Sequence, residues 1–441
     1  MQRSEINTII RQFVRDDISP SKDDRHFIST IYDSFRDLLN DNCIQIGSYP
    51  RYTATRPLHD LDILFLSGEW DSTLPNPETV LASLLETIES DYENPTDLRY
   101  RVQQQTHSIA VEYYENIDLV FSVDVVPGYS FARNDFEQDV YMVPEILGYK
   151  HGEQRRTHYS LLESSGSTMR WISSDPRGYI KIASDLNEMN SDFRRAVKYT
   201  KAWKNGYVSL NDEFKLKSFH IEQVMVGYFK ENPGLDVFGA LFQFFVDLPE
   251  FINKPNIPDR ADPERFIDEY LKDLSDNQRR LIIEARDCFL VKLEDFDTES
   301  GLGALFSPCF RARSGPSEQF LFDLGIPTFL DPDYELRIEG EVQERQGSFR
   351  KFILDRIGKI LVDRRIRFSV RTPIPGIDLY KWKVKNDSVS PQPRGEITDH
   401  RTKNDPEHTK YRGDHYVECF AIKDGVCIAK VRQNVTLSAG R

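Results

Sequence analysis

The strongest constraint on this chain is a pair of aspartates two residues apart at the head of an apolar run, Asp60-Leu61-Asp62-Ile63-Leu64-Phe65-Leu66. The run reads as a strand, and on a strand residues i and i+2 project from the same face. Two adjacent carboxylates repel unless a cation lies between them, and hard oxygen donors in that arrangement suit Mg²⁺ or Mn²⁺. Upstream stands Gly47-Ser48, a turn signal whose backbone N–H groups and hydroxyl are what a phosphate binds. Each signal alone is ordinary: Gly-Ser marks many turns, and Asp-x-Asp many solvated strand ends. Joined by a short basic segment with Arg51 and Arg56, they read together as a seat for a metal-bound nucleoside triphosphate.

A third carboxylate follows. Residues 108–114 and 119–126 read as two strands joined at Glu115-Asn116-Ile117-Asp118, a hairpin in which Asp118 belongs to the turn. On the second strand Asp124 stands between Val123 and Val125, and a carboxylate there is costly to bury without a partner. Metal ligation would supply one; so would a structural salt bridge.

The order Gly47-Ser48, Thr53, then Asp60-x-Asp62 opening an apolar strand resembles the DNA polymerase β-like nucleotidyltransferases. With Arg51, Thr53 and Pro57 in place it resembles their cyclic GMP-AMP synthase and oligoadenylate synthase-like branch, whose bacterial members are the CD-NTases of CBASS antiphage systems. Val123-Asp124-Val125-Val126-Pro127 is similar to the third-carboxylate motif of that family. Lys201-Ala202-Trp203 resembles its Lys-x-Trp signature, and Lys217-Ser218-Phe219-His220-Ile221-Glu222 a further family stretch. The resemblance implies catalytic and metal-binding roles for Asp60, Asp62 and Asp124, with two Mg²⁺ or Mn²⁺ ions per site. It implies nucleotide or phosphate contacts for Gly47, Ser48, Arg51, Thr53, Lys201 and Ser218. His220 reads as a packed helix residue.

Composition bounds the alternatives. A chain of 441 residues is long enough for two or three domains. A net charge of −14 argues against broad nucleic-acid binding, which wants a basic face, while leaving room for a local basic pocket. The N-terminus lacks the apolar core of a signal peptide, and no apolar run approaches membrane-spanning length. Five scattered cysteines read as reduced, buried thiols, so a cytoplasmic protein is expected.

Taken in order, Ile6, Ile9, Ile10, Phe13 and Val14 share a helical face, and a second helix starts at a capping box, Ser21 with Asp24. A short strand at 43–46 leads into the Gly-Ser turn, and a helix is expected near 79–89. Residues 130–180 carry little apolar periodicity, and base selection is expected in or near them. Within them Trp171-Ile172 and Asp175-Pro176 resemble the family's connection between its lobes. Helices follow from Ser191 and at 218–229, 237–249, 263–273 and 276–294. The expected fold is mixed α/β: a polymerase β-like sheet with a helical second lobe, then a small strand-rich domain. The expected boundaries are 1–310 for the nucleotidyltransferase unit (lobes about 1–180 and 181–310), 311–325 for a linker, and 326–441 for the last domain.

In that last domain one helix is expected near 349–361. The segments Tyr380–Asn386, Arg394–Ile397, His415–Cys419 and Cys427–Ala429 resemble the adenylyl/guanylyl and SMODS C-terminal sensor (AGS-C) domain. Asp424-Gly425 is a two-residue hairpin signal that sets Ile422 opposite Cys427. That register separates Cys427 from His415 and Cys419, which rules out one shared zinc ion. It makes Phe420, Ile422, Cys427, Ala429 and Val431 a core face. Trp382, Arg394 and His415 are candidates for a nucleotide contact, with core and salt-bridge roles open beside it.

The resemblance implies an enzyme that condenses nucleoside triphosphates, ATP among them, releases pyrophosphate and closes a cyclic oligonucleotide second messenger. That product would act on a separate effector protein in antiphage defence. An RNA-tailing or linear-oligonucleotide nucleotidyltransferase is the nearest alternative, and a catalytically inactive nucleotide-binding sensor the alternative of another class.

Overall fold

A computed structural model describes residues 3–145, 169–296, 302, 305, 307–331, 333–343, 347–350, 354, 359–399 and 405–438. The chain divides into two compact units, Ile10–Ile282 and Met1–Ile9 with Ile283–Arg441.

The first helix, α1, is Arg3–Phe13, followed by a short π turn, Val14–Ile18. Helix α2 (Lys22–Leu38) starts at the expected capping box: the Asp24 N–H donates to Ser21 Oγ at 3.0 Å and the Ser21 N–H to Asp24 Oδ2 at 2.7 Å. Strands β1 (Cys43–Ile46) and β2 (Asp60–Glu69) precede helix α3 (Pro77–Asp91). Then come β3 (Arg99–Gln104), β4 (Ile109–Glu115), β5 (Asp118–Arg133), β6 (Asp139–Glu145) and β7 (Arg170–Ser174). The main sheet has the order β1-β2-β5-β4-β3, with β6 joined to β5 and β7 to β6. In this sheet, among the described residues, only β2 and β5 pair in parallel, and they set Asp62 directly beside Asp124.

Period-two alternation divides this sheet. Leu61, Ile63, Phe121, Val123 and Val125 point to one face and pack with Ile28, Ile31 and Phe35 of α2 and Leu81, Leu84 and Ile88 of α3. Asp60, Asp62 and Asp124 therefore belong to the opposite face. The β4–β5 hairpin has the expected turn, with Glu115 opposite Asp118. Three strands escape the sequence reading: β3, mostly polar and exposed over its first half, and β6 and β7 in the stretch of weak periodicity. Residues 146–168 of that stretch lie outside the described residues.

Helices α4 (Pro176–Met189), α5 (Asp192–Leu210), α6 (Ser218–Glu231) and α7 (Val237–Phe251) complete the unit around an aromatic core. In it Trp203 meets Phe245 edge-on at 4.8 Å and Phe214 at 5.7 Å between centroids. The helix expected at 263–273 is instead a turn segment ending in a 3₁₀ helix, Glu269–Asp273. The buried Asp268 carboxylate accepts from the N–H groups of Asn256 (3.0 Å) and Ile257 (3.2 Å), which commits the segment to a return past 256–257 rather than a helix. Helix α8 is Asp276–Glu294.

The other unit holds two sheets. Strands β8 (Ile338–Gln343), β9 (Phe349–Arg350), β11 (Arg365–Val370) and β14 (Glu407–His408) form one. Strands β10 (Lys359–Leu361), β12 (Leu379–Lys385), β13 (Arg394–Thr398), β15 (Gly413–Lys423) and β16 (Val426–Ser438) form the other. Val342, Ile366 and Phe368 of the first pack with Trp382, Val417, Cys419 and Ala429 of the second. The helix expected near 349–361 has strands at both ends; 351–353 and 355–358 lie outside the described residues.

Three further expectations change here. Asp424-Gly425 does turn the β15–β16 hairpin, with both residues at positive φ and Ile422 opposite Cys427. A bulge between Ala421 and Ile422, however, shifts the pairing, so Ala429 and Val431 pack with Cys419 while Cys427 stays with Phe420 and Ile422. One extra residue in a ladder flips every side chain beyond it. The Ser-, Gly- and Pro-bearing stretch 311–325 is packed rather than free: Leu321 and Phe322 are buried, and Arg313 bridges Asp287 (2.8 Å) and Asp323 (2.7 Å). Cys288 and Cys309 form a disulfide, whereas Cys43, Cys419 and Cys427 are buried free thiols. Among the described residues no helix is long and apolar enough to cross a membrane.

Candidate functional site

The site begins where β1 ends. Ile46 pairs with Asp62, and the next residue, Gly47, turns the chain at φ +75°. A Cβ on Gly47 would lie 1.8 Å from Asp62 Oδ2, so the Asp62 carboxylate rests against bare backbone that only glycine offers. Ser48 follows, and its carbonyl accepts from the Thr53 N–H at 3.0 Å, closing the loop that carries Arg51.

Across the loop, α5 and α6 contribute a buried charge cluster. Glu222 Oε1 accepts from Arg51 Nε at 2.5 Å. Glu222 Oε2 accepts from Lys201 Nζ at 2.9 Å and from the Thr53 hydroxyl at 2.8 Å. Lys201 Nζ also donates to Thr53 Oγ1 (3.1 Å) and the Thr53 carbonyl (3.3 Å). Burial alone would raise the Glu222 pKa; the charges of Arg51 and Lys201 override it and hold the carboxyl at about 2. Burial pushes the Lys201 ammonium down, Glu222 pulls it back up, and the neighbouring Arg51 lowers it again. Arg51, Thr53 and Lys201 thus hold one another and Glu222.

The amine held by neutral groups is Lys204. Its Nζ donates to Ser218 Oγ at 3.2 Å and to Asn205 Oδ1 at 3.1 Å. Burial, then the Lys201 charge, lower it to about 8, with Asp60 acting in the other direction. Ser218 is the first residue of α6. Lys204 is absent from the sequence expectations, although Lys201-x-x-Lys204 is a spacing that puts both side chains on one helical face. Glu222 is likewise absent as a site residue; at i+4 from Ser218 it lies on that serine's face of α6.

These groups surround one cavity of about 650 Å³. Gly47, Ser48, Arg51, Thr53, Asp60, Asp62, Lys201 and Ser218 all line it, as do Lys204, Asn205 and His59. Asp124 is not one of the lining side chains; it adjoins Asp62 by strand register. The carboxylates on this face offer oxygen donors only, and bare Gly47 lets the Asp62 carboxylate lie against the turn, so the residues fit Mg²⁺ or Mn²⁺. Among the described residues no three His, Cys, Asp or Glu side chains already converge as a metal cage. His220 is fully buried, with Nδ1 2.9 Å from the Tyr270 hydroxyl, and burial lowers its pKa to about 4.

The strand-rich unit has a cavity of about 450 Å³ lined by Trp382, Arg394 and His415, the three candidates from the sequence. Arg394 is paired with Glu407 at 2.6 Å. His415 Nε2 lies 2.9 Å from the Tyr411 carbonyl, and its Nδ1 accepts from the Asp387 N–H at 3.2 Å. Trp382 belongs to the core between the sheets.

Residues 317–438 match the family model of the Adenylyl/Guanylyl and SMODS C-terminal sensor domain. No curated protein matches the chain. Among solved structures, the CdnC of Escherichia coli MS115-1 with ATP is 17% identical, with 69% of this chain and 99% of that one covered at a TM-score of 0.49. Escherichia coli DncV in its 3′-deoxy GTP bound form is 14% identical, with 68% and 80% covered at 0.42. The Elizabethkingia meningoseptica CdnE cyclic dinucleotide synthase with GTP and Apcpp is 15% identical, with 52% and 77% covered at 0.36.

Proposed function

We propose that this protein is a metal-dependent nucleotidyltransferase that joins nucleoside triphosphates and closes the product into a cyclic oligonucleotide. The observation that carries the reading is the shared sheet face of Asp60, Asp62 and Asp124 beside the Gly47-Ser48 turn, with Asp60 and Asp62 in one cavity with Lys204 and Ser218. An acceptor ribose hydroxyl attacks the α-phosphorus of a triphosphate. A new O–P bond forms, the bond from that phosphorus to the bridging oxygen breaks, pyrophosphate leaves and the hydroxyl loses its proton. Asp60, Asp62 and Asp124 would hold two Mg²⁺ or Mn²⁺ ions, which supply charge neutralisation at the attacking and leaving oxygens.

The chain's own part is positioning and charge. Ser48 and Ser218 offer hydroxyls, and Lys204 an ammonium, to the β- and γ-phosphates. Lys201 and Arg51 hold the Gly47–Thr53 loop in shape through Glu222 and line the same cavity. Asp124 is the carboxylate available to take the hydroxyl proton. Cyclic closure, action of the product on a separate effector and an antiphage role follow from the family resemblance, and the AGS-C match at 317–438 supports it.

The test is incubation of the full chain with four ribonucleoside triphosphates and Mg²⁺ or Mn²⁺, then phosphatase and mass spectrometry. A phosphatase-resistant cyclic product, absent from Asp60→Ala/Asp62→Ala, is expected. Linear products alone would make it an oligonucleotide or tailing polymerase, and triphosphate binding without product would make it a sensor.

A further inference from the structure

The far end of the same cavity has a composition of its own. From the phosphate end, Lys204 reaches Ser218, and the next residue, Phe219, also lines the cavity. The Phe219 ring meets the Tyr179 ring edge-on at 4.9 Å between centroids. The Tyr179 hydroxyl accepts from the Arg260 N–H at 3.1 Å, and the residue before Arg260 is Asp259, a lining carboxylate. The order along the wall is therefore ammonium and hydroxyl, two aromatic rings, carboxylate. It is the order a nucleotide presents from phosphates to base face to base edge. Tyr179, Phe219 and Asp259 come from three separate stretches of chain, so no local motif announces them.

Asp259 is held in place. Its Oδ1 accepts from the Ala261 N–H at 2.8 Å, and its own N–H donates to the Arg265 carbonyl at 2.8 Å. Burial raises its pKa, and the Ala261 N–H and Arg265 charge work against that rise. Resting on the nucleotidyltransferase reading above, we propose that Asp259 is a specificity-determining residue that accepts hydrogen bonds from the edge of a base stacked on one ring of the Phe219–Tyr179 pair and edge-on to the other, and so selects guanine. Guanine offers two adjacent donors, N1–H and N2–H, to one carboxylate. Adenine sets an acceptor nitrogen beside its single amino group, which a carboxylate repels. The proposed base site draws Tyr179 from the end of the 130–180 stretch and Asp259 from outside it.

The experiment measures competition of GTP, ITP and ATP against a fluorescent triphosphate on the full chain with Mg²⁺, for wild type, Asp259→Asn and Asp259→Glu. ITP lacks the 2-amino group and so removes one donor of the pair. Wild type is expected to prefer GTP over both by about five- to hundredfold, Asp259→Asn to lose that preference while still binding triphosphate, and Asp259→Glu to keep part of it. Thermal unfolding checks that the isosteric Asn variant is folded. A wild type indifferent to the purine, or an Asn variant with the same preference, overturns the assignment while leaving the nucleotidyltransferase reading intact. A wild type that binds no triphosphate overturns both.

Discussion

In the cavity of Ile10–Ile282, Lys204 is held by a hydroxyl and an amide, and three aspartates, Asp60, Asp62 and Asp259, share its walls. In the Trp382 cavity of the strand-rich unit, Arg394 is committed to Glu407 and His415 to backbone groups. Both cavities are lined by charged and aromatic residues, and composition alone does not separate them. A cation held by neutral groups can take up an anionic ligand without first giving up a carboxylate; one already paired must exchange partners. Lys204 and Arg394 therefore differ in what a charged ligand would have to displace.

The comparison breaks first at the aspartates. Replacing Asp60 or Asp62 by Asn should lower product formation by roughly a thousandfold or more, read by release of labelled pyrophosphate. Residual activity within tenfold of wild type would remove those carboxylates from the chemistry. Next is Glu222→Gln, which leaves Arg51 and Lys201 buried without their counter-charge and should cost about 3–5 kcal/mol of unfolding free energy in urea. Because the folded Glu222 pKa is depressed to about 2, its contribution is complete above the unfolded value near 4.5 and is lost as pH falls toward 2. The Gln variant should lack that part of the acid limb, and an unchanged acid profile would count against the cluster.

Lys204→Met comes third, with triphosphate affinity expected to fall about tenfold. An ammonium lowered to about 8 deprotonates as pH rises through that value, so wild-type affinity should weaken between pH 7 and 9 and the Met variant's should not. Equal pH slopes in calorimetric titrations would sharpen the comparison against Lys204. The smallest effect belongs to Arg394→Met. Its ion pair with Glu407 is 40% exposed on the arginine side and is worth about 0.5 kcal/mol. A loss of several kcal/mol would mean the second cavity depends on its cation far more than the first.

Much of the site was legible in the sequence where it rests on neighbours in the chain. The shared face of Asp60 and Asp62, the turn at Gly47-Ser48 and the hairpin that places Asp124 follow from strand alternation and turn chemistry. The partner of Lys201 was not legible, because a lysine on a helix reads the same whether it meets a phosphate or a buried glutamate. Nor was the packing of 311–325, where Ser, Gly and Pro signal a loop but say nothing of what Leu321 and Phe322 rest on.

By itself the sequence determined the local backbone: the α2 capping box, the β4–β5 turn, the Asp424-Gly425 hairpin and which residues alternate on β2 and β5. Those depend on dihedral preferences and periods of a few residues. Only the tertiary structure decided that Glu222 holds Arg51 and Lys201, that Lys204 reaches Ser218, that a bulge moves Ala429 to the other core, that Cys288 bonds Cys309, and that Asp259 faces the same cavity as Asp60. Each joins groups through packed side chains, bulges or separate elements, and no repeat in the sequence spans such contacts.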